Sequence, residues 1–262
     1  MPPGSYKRAM KVKTAYITNL GKVRLKNEDA ILVDNKVFKE TSFNQVIYEE
    51  LEISDFTAFA VADGLGGHAC GEKASGIVLE TLKDSKPKQV NDVEEIILNA
   101  KRKLDEYIND GHEFCFGMGT ALAGIYLSTQ KVFVFNVGDC RVYRFSSEKF
   151  EILTRDHTFI FSLFLEGKIS YDDLRVHIER NLLETAIMGG YPELPEVFLK
   201  EEVPNKEDLF LICSDGLWEP ISFREKVLCL RKGKILEKAK CLYEIAYQEG
   251  KDNISFILLE IN

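Results

Sequence analysis

The sequence lacks a long uninterrupted run of apolar residues. A helix that crosses a bilayer needs about 18 of them, and no segment of this 262-residue chain comes near that length. The first residues, MPPGSYKRAMKVK, carry cations but no apolar stretch of the kind that secretory signals contain, and we expect this basic tail to be solvated. We therefore expect a soluble, cytoplasmic protein without a membrane partner.

Positive charge is also in short supply. Lysines and arginines number 34 against 42 aspartates and glutamates, so the formal net charge is −8. Proteins whose main partner is nucleic acid usually carry the opposite sign, because they neutralise phosphates. We therefore expect no nucleic-acid partner.

Paired cysteine motifs are missing as well. The six cysteines are scattered without a C-x-x-C pair, and most lie in apolar surroundings. None is followed by arginine at the C-x₅-R spacing with which cysteine-based phosphatases hold a phosphate over the thiolate. We expect reduced thiols in the core of a cytosolic protein, and we disfavour a cysteine nucleophile.

The sequence does contain many strand patterns. Eight segments are rich in β-branched and aromatic residues: 30–34, 57–63, 120–127, 131–139, 140–145, 196–203, 208–215 and 253–261. Helical patterns occupy residues 71–85, 91–110 and 235–247. Because the strands follow one another instead of alternating with helices, the pattern favours antiparallel sheets in an α+β fold over a doubly wound parallel sheet.

The chain shows no obvious internal division. It contains no Pro/Gly/Ser-rich linker, no repeat and no low-complexity tract, so we expect a single domain over residues 1–262. Residues 35–55 form an insertion-like stretch that is polar and aromatic by turns. Its sequence assigns it no role, so a docking loop and an extended hairpin both stay open.

Acidic residues recur where apolar runs begin or end. Six of them share this placement: Glu28, Asp29, Asp63, Asp139, Asp215 and Asp252. Any one Asp-Gly pair is most simply a strand-ending turn. Together, however, antiparallel strands can bring these acids to one end of the sheets, where they repel one another unless a cation neutralises them. Oxygen donors without histidine or cysteine predict two Mg²⁺ or Mn²⁺ ions and disfavour zinc.

A binuclear site of this kind indicates phosphoryl chemistry. Two ions about 3.5–4 Å apart can activate a water and stabilise the attacking and leaving oxygens of a phosphate displacement. Phosphate monoesters react very slowly in water, which favours strong metal electrostatics. Arg24, which precedes Glu28 by four residues, is placed to hold a phosphate with a bidentate fork, although a surface arginine in a turn explains its position equally well.

Seven motifs, spread in order over most of the chain, carry a resemblance to a known family: GKVRLKNEDA, AVADGLGGHACGE, GMGTALAG, VFNVGDCRVYRF, LTRDHT, LICSDGLWE and KDNISFILL. The chain resembles the PPM family, the metal-dependent Ser/Thr protein phosphatases of protein phosphatase 2C type, in their compact bacterial form. The resemblance implies a four-layer α-β-β-α sandwich of two antiparallel sheets flanked by helices. It also implies phosphoprotein substrates made by Ser/Thr kinases, and we expect a monomer.

The resemblance assigns metal ligands by motif. Asp63 would bridge two ions. The backbone carbonyl of Gly64 and the side chain of Glu28 would serve one of them, and Asp215 with Asp252 would serve the other. The ions would be Mg²⁺ or Mn²⁺, which the sequence does not separate.

Further roles follow from the same resemblance. Asp29 would orient metal-bound water, Arg24 would bind the phosphate, and Asp139 with Asp215 would help hold a third, weaker ion. Residues 159–180 look like the flap of the family, a mobile segment over the active site. The first half of this stretch is apolar, so a packed helix and a gating lid both stay open for it.

The chain departs from the family pattern at two places. Leu65 stands where eukaryotic members carry a histidine proposed as general acid, so another group must protonate the leaving group, and we interpret His68 as structural. Cys140 replaces the commoner serine after Asp139, which makes it either a site of oxidation or a buried inert thiol.

Two other interpretations compete with a phosphatase. Residues 64–69, GLGGHA, match the G-x-G-x-x-A turn of dinucleotide-binding proteins, but Asp63 would repel a pyrophosphate, and the nearest acid about 20 residues on, Asp84, ends a helix. We therefore interpret these glycines as allowing close approach to metal ions. A catalytically silent binding module of the same fold is the alternative function, although every expected acid is present.

Overall fold

Two antiparallel β-sheets lie at the centre of the structure, a computed structural model that describes residues 9–65, 70–146 and 149–262. Within these ranges the chain forms thirteen strands: β1 (Met10–Asn19), β2 (Ala30–Val33), β3 (Lys36–Phe38), β4 (Ile47–Ile53), β5 (Thr57–Gly64), β6 (Gly119–Leu127), β7 (Val132–Val137), β8 (Arg141–Ser146), β9 (Lys149–Ile152), β10 (Ile187–Met188), β11 (Phe198–Glu202), β12 (Leu209–Cys213) and β13 (Ile254–Ile261). The same ranges hold seven α-helices: α1 (Gly71–Lys83), α2 (Asp92–Asn109), α3 (Phe159–Leu165), α4 (Tyr171–Val176), α5 (Asp215–Trp218), α6 (Phe223–Leu230) and α7 (Ile235–Glu249).

The strands divide between a six-stranded and a seven-stranded sheet in the described part of the chain. The first sheet has the order β4-β1-β13-β12-β8-β9, and the second has the order β11-β7-β6-β5-β2-β3 with β10 paired to β6. Each pair of neighbouring strands runs antiparallel. The prediction of antiparallel sheets in an α+β fold is therefore confirmed. The described part of the chain does not form the parallel sheet on which a dinucleotide-binding turn depends.

Apolar side chains form three core layers, which lie between four layers of secondary structure, so the fold is a four-layer sandwich. The middle core layer lies between the two sheets. A second layer packs α1 and α2 against the outer face of the seven-stranded sheet, and a third packs α6 and α7 against the outer face of the six-stranded sheet. The predicted α-β-β-α architecture is confirmed. Among the described residues, no helix is both long and apolar enough to cross a membrane.

Strand β5 shows how the sequence builds two of these layers at once. Phe59 and Val61 point between the sheets, whereas the three alanines that alternate with them point toward α1 and α2. The small alanines let α1 pack closely on the strand, and full burial of a side chain such as Phe59 stabilises the fold by about 1.5–3 kcal/mol. The strand ends at Asp63 and Gly64, which places both at one end of the sandwich.

Strand β1 is an element for which the sequence analysis predicts a different structure. Residues 10–13 are expected there in a solvated tail, but they begin β1, which pairs with β13 on one side and with β4 on the other. Two lysines alternate with Met10 and Val12 at this point, so the cations that suggest a tail occupy the outward positions of a strand. The solvated-tail prediction is wrong for these four residues.

The insertion-like stretch, residues 35–55, contributes to both sheets. Its first strand, β3, pairs with β2 at the edge of the seven-stranded sheet. Its second strand, β4, pairs with β1 at the edge of the six-stranded sheet. Short edge strands are a common way to end a sheet, so this part of the stretch has a structural function.

Four of the six cysteines are paired in disulfides, which corrects the expectation of reduced thiols. Cys70, just before α1, is bonded to Cys115 in a short turn before β6, and Cys229 in α6 is bonded to Cys241 in α7. The paired cysteines are 45 and 12 residues apart, so their contact depends on tertiary packing that no local sequence motif predicts. The cysteine pattern therefore no longer supports a reducing compartment.

Thiol counting tests these pairings. Alkylation of the denatured protein, purified without reductant, should modify only the two buried free cysteines, Cys140 and Cys213. Alkylation after reduction should modify all six. Intact-protein mass spectrometry distinguishes the two products, and modification of six cysteines without reductant would show that the pairing is wrong.

Candidate metal centre

One cleft at the end of the sandwich collects most of the acids that the sequence singles out. The cleft has a volume of about 590 Å³. The predicted site residues that line it are Arg24, Glu28, Asp63, Gly64, Asp139, Asp215 and Asp252. They come from five separate parts of the chain, at the ends of β5, β7 and β12 and before β2 and β13. Antiparallel pairing is what brings these strand ends together.

Asp29 lies behind this lining. Its side chain is buried, and its Oδ2 accepts a hydrogen bond of 2.9 Å from the hydroxyl of Ser214, the residue before Asp215. This bond joins the start of β2, in one sheet, to the end of β12, in the other. Asp29 therefore connects the two halves of the site without facing the cleft.

Asn253 fixes the loop that carries Arg24 and Glu28. Its Oδ1 accepts a hydrogen bond of 2.9 Å from the backbone N–H of Glu28. Its amide nitrogen donates to the backbone carbonyls of Leu20 and Lys26, each at 3.0 Å. The sequence analysis does not identify this residue, and the only available signal is its position beside Asp252. Asn253 holds the first loop of the chain against the start of the last strand.

Burial and mutual repulsion dominate the electrostatics of the site. The pKa values of Asp63 and Asp215 are raised well above the ordinary value, mainly by burial and then by neighbouring carboxylates. Burial also raises the pKa of Asp29 and of Asp139 to about 7. Four acids that repel one another in this way favour either protons or a bound cation.

Two carboxylate oxygens in this cluster have no protein partner. Among the described residues, Oδ1 of Asp29 and Oδ1 of Asp215 are buried and accept no hydrogen bond. Unpaired buried polar atoms are costly, so they point to a ligand that satisfies them. The donors that line the cleft are carboxylates and a backbone carbonyl, which are the oxygen ligands that hard divalent cations prefer.

The side chains are of the types that bind a divalent cation, but they are not arranged around a single point. In the described ranges, no three acidic, histidine or cysteine side chains are grouped closely enough to hold a metal ion. One reason is visible at Asp252, whose Oδ2 is 2.6 Å from a guanidinium nitrogen of Arg24. Its Oδ1 accepts a hydrogen bond of 2.8 Å from the backbone N–H of Asn253, so both oxygens of this carboxylate already have partners.

The opposite wall of the cleft is formed by residues 181–194, which the sequence analysis does not single out. Three large apolar side chains there are exposed, those of Leu182, Tyr191 and Leu194. Most of this segment is irregular, so it carries no periodic signal. Leu65, on the acidic side, completes the lining, and residues 66–69 with His68 lie outside the described residues.

A buried arginine supports the acidic wall from behind. Arg141 is fully buried and makes a bidentate ion pair with Asp156, with nitrogen–oxygen distances of 2.6–3.0 Å. Its guanidinium carbon lies 3.6 Å from the centre of the Trp218 ring. The indole N–H of Trp218 in turn donates to the carbonyl of Asp139 at 2.9 Å. The arginine thus helps to position Asp139 through the indole.

The same arginine connects to residues 159–180. The hydroxyl of Tyr143 accepts a hydrogen bond from Arg141, and it lies 2.7 Å from the hydroxyl of Tyr171 in α4. Phe161 in α3 is buried near the guanidinium, whereas Phe159 is 59% exposed. The segment is therefore partly anchored in the core and partly open to solvent.

Cys140 is a buried thiol next to this site. Burial, and after it the charge of Asp63, raises the pKa of this thiol well above its usual range. A thiol in these surroundings stays protonated, and it is the thiolate that reacts with oxidants. Of the two interpretations that the sequence leaves open, the structure favours the inert thiol.

Comparison of the sequence with known proteins supports the family that the motifs indicate. A family profile described as Protein phosphatase 2C matches residues 17–159. The chain is similar to the serine/threonine phosphatase stp of Listeria welshimeri, with 30% identity over 94% of each chain. It is also 30% identical to the serine/threonine protein phosphatase PstP of Mycobacterium tuberculosis, over 77% of this chain but only 40% of that protein. The chain therefore spans less than half the length of this mycobacterial relative.

Solved structures are similar over nearly the whole chain. The crystal structure of the Mycobacterium tuberculosis serine/threonine phosphatase PstP/Ppp has a TM-score of 0.79 and 26% identity, covering 96% of this chain and 99% of that one. The catalytic domain of PstP in complex with two manganese ions has a TM-score of 0.75 at 24% identity, with 96% and 99% coverage. At 24% identity, the similarity to the manganese-containing structure shows a shared fold and no more.

Neutralising one buried acid should stabilise the metal-free protein. Because the pKa of Asp215 is raised in the folded state, its charge opposes folding increasingly as the pH rises above the unfolded value near 4. Asp215→Asn removes that charge, so in EDTA the variant should melt above wild type by roughly 2–6 °C at pH 8. The difference should shrink at pH 5.

Thermal unfolding followed by circular dichroism measures both temperatures. Glu106→Gln, an exposed acid of α2, is the control and should match wild type at either pH. A variant that melts below wild type at pH 8 would show that the repulsion in this cluster does not destabilise the fold.

Proposed function

The chain belongs to the protein phosphatase 2C family, and from this premise we propose that it is a metal-dependent phosphoprotein phosphatase that hydrolyses phosphoserine and phosphothreonine. The observation that carries the proposal is the convergence of five acids from distant parts of the chain on one cleft that Arg24 also lines. The substrates are phosphoproteins made by Ser/Thr kinases. The similar proteins named as Ser/Thr phosphatases support this substrate class.

The acids of the cleft are the proposed metal ligands. Asp63 would serve two ions, the carbonyl of Gly64 and the side chain of Glu28 would help to hold one of them, and Asp215 with Asp252 would help to hold the other. The raised pKa values of Asp63 and Asp215 support the assignment, since cations would relieve the repulsion.

The identity and number of the ions are part of the proposal. When bound, the ions lower the pKa of a water and stabilise negative charge on the phosphoryl oxygens. Mg²⁺ and Mn²⁺ both suit an all-oxygen donor set, and the manganese-containing PstP structure makes Mn²⁺ the natural probe. Asp139 and Asp215 would hold a third, weaker ion.

Arg24 is the proposed phosphate-binding residue. Its guanidinium is paired with Asp252 at 2.6 Å and its side chain is 44% exposed, so it reaches both the acids and the open cleft. When Asp252 serves a cation, the guanidinium becomes free to make two parallel hydrogen bonds to a phosphate. Asp29, held by the Ser214 hydroxyl, is suited to orient the attacking water from behind the lining.

The whole chain, residues 1–262, is proposed to act as one catalytic domain and as a monomer in the cytoplasm. Residues 159–180 form its flap. The anchoring of Tyr171 beside Arg141, together with the exposure of Phe159, supports a segment that is fixed at one side and free to adjust at the other. Leu65 cannot transfer a proton, so the leaving group takes its proton from another group of the site.

Removal of either central acid should abolish activity. With Mn²⁺ and a phosphothreonine peptide, Asp63→Asn and Asp215→Asn should release phosphate roughly 10²–10³-fold more slowly than wild type, because each loses a charge on which ion binding depends. Asp84→Asn, an exposed acid after α1, is the matched control and should keep full activity. Phosphate release measures all four proteins. Equal release of phosphate by wild type and both site variants would contradict the proposal, and release by wild type no faster than background would favour a silent binding module.

Arg24 variants should separate phosphate binding from metal binding. Arg24→Met should raise KM for the phosphopeptide about tenfold or more, and Arg24→Lys should lie between it and wild type, because an ammonium cannot make the bidentate contact. Mn²⁺ affinity should not fall in either variant, since Asp252 loses only its competing partner. Lys22→Met, a cation in the same loop, is the control. An unchanged KM in Arg24→Met would remove this arginine from the substrate site.

A further inference from the structure

Glu72 follows Gly71, which packs against Glu28, and it has no role in the site described so far. It is in the first turn of α1, and its side chain is only 8% exposed. Oε1 of this carboxylate pairs with the ammonium of Lys26 at 2.5 Å. Oε2 is buried and, in the described part of the chain, accepts no hydrogen bond. A buried carboxylate with one satisfied oxygen requires an explanation.

The backbone brings this carboxylate to Glu28. A Cβ atom added to Gly64 would lie 2.5 Å from the carbonyl oxygen of Gly71 and 2.6 Å from that of Glu28, so three backbone segments meet at a point where only glycine fits. A Cβ atom on Gly71 would lie 3.2 Å from Oε1 of Glu28. The Ser75 hydroxyl donates to the carbonyl of Glu28 at 2.7 Å, which fixes the first turn of α1 in this place.

The carboxylates of Glu28 and Glu72 also repel each other electrostatically. Burial is the main cause of the raised pKa of Glu28, and the largest charge effect on it is that of Glu72. Lys26 opposes this effect, but its side chain is 57% exposed and it pairs with only one oxygen of Glu72. Arg24 also lowers the pKa of Glu28, but Lys26 is the cation that Glu28 and Glu72 share.

Helix stability alone does not account for Glu72. An acid in the first turn interacts favourably with the helix dipole, by about 0.3–1 kcal/mol, but a fully exposed side chain provides that stabilisation equally well. A partly exposed ion pair adds a similarly small amount. Burying an oxygen without a partner acts against both effects. The placement is more consistent with a ligand than with a helix-stabilising acid.

We propose that Glu72 is a further carboxylate of the metal centre, where its Oε2 joins Glu28 and the Gly64 carbonyl on one divalent cation. Lys26 competes with that cation for the carboxylate. The inference rests on the proposed function, because it requires an ion at Glu28. It goes further by assigning a ligand from α1, an element that supplies none of the acids discussed above.

Titration of Mn²⁺ into the full-length, metal-free protein tests this assignment. By calorimetry, Glu72→Gln should bind one Mn²⁺ about 10–100-fold more weakly than wild type, the range typical for loss of a residue that supports a metal site. Lys26→Gln should bind the same ion more tightly, because the competing ammonium is gone. Glu80→Gln, on the same helix but paired with Lys39 and Lys83, should match wild type.

Glu28→Gln, measured in parallel, separates two ways of failing. If Glu28→Gln weakens Mn²⁺ binding and Glu72→Gln does not, the role of Glu72 is overturned while the metal centre stands. If neither variant changes Mn²⁺ binding, the ion proposed at Glu28 is absent, and both proposals fall. Thermal unfolding in EDTA checks the fold of each variant. Should Glu72→Gln unfold, Lys26→Gln decides: tighter binding supports the inference, and unchanged or weaker binding overturns it.

Discussion

Repulsion among buried carboxylates is the constraint on which the rest of this structure depends. Asp63, Asp139 and Asp215 are held close together at one end of the sandwich, where burial and neighbouring charge raise their pKa values. The two apolar sheets supply the stability that keeps these groups in place against their own repulsion. A cation that binds there is therefore attracted by negative charge that the fold has already brought to one cleft, although the side chains must still adjust around the ion.

The supporting residues have one shared task, which is to hold the acids and the backbone beside them in place. Asn253 fixes the loop before Glu28, the Ser214 hydroxyl fixes Asp29, and the Trp218 indole fixes the carbonyl of Asp139. Arg141 stands behind the indole and carries its own buried partner. Partners of this kind tune ligand position more than they contribute to net stability, because a buried ion pair gains little over apolar packing.

Sequence reasoning found the acids because each stands at the end of a strong strand pattern, and antiparallel strands bring their ends together. It missed β1, whose lysines resemble a solvated tail, and it missed both disulfides, whose partners meet only after folding. Arg141 and Glu72 escaped for a different reason. Charged residues are usually exposed, so only the three-dimensional packing reveals that these two are buried.

The hydrogen bond between Glu28 and Asn253 joins residues that are 225 positions apart. The site therefore cannot assemble on the ribosome while the last strand is still unsynthesised, even if the two-helix layer has already folded. Contacts of such long sequence separation also slow refolding, because the entropy of closing the intervening loop opposes them until they form. A chain that is still being synthesised, or that ends before the last strand, thus has no complete cleft. The acids are brought together only after the last strand has been made and has paired.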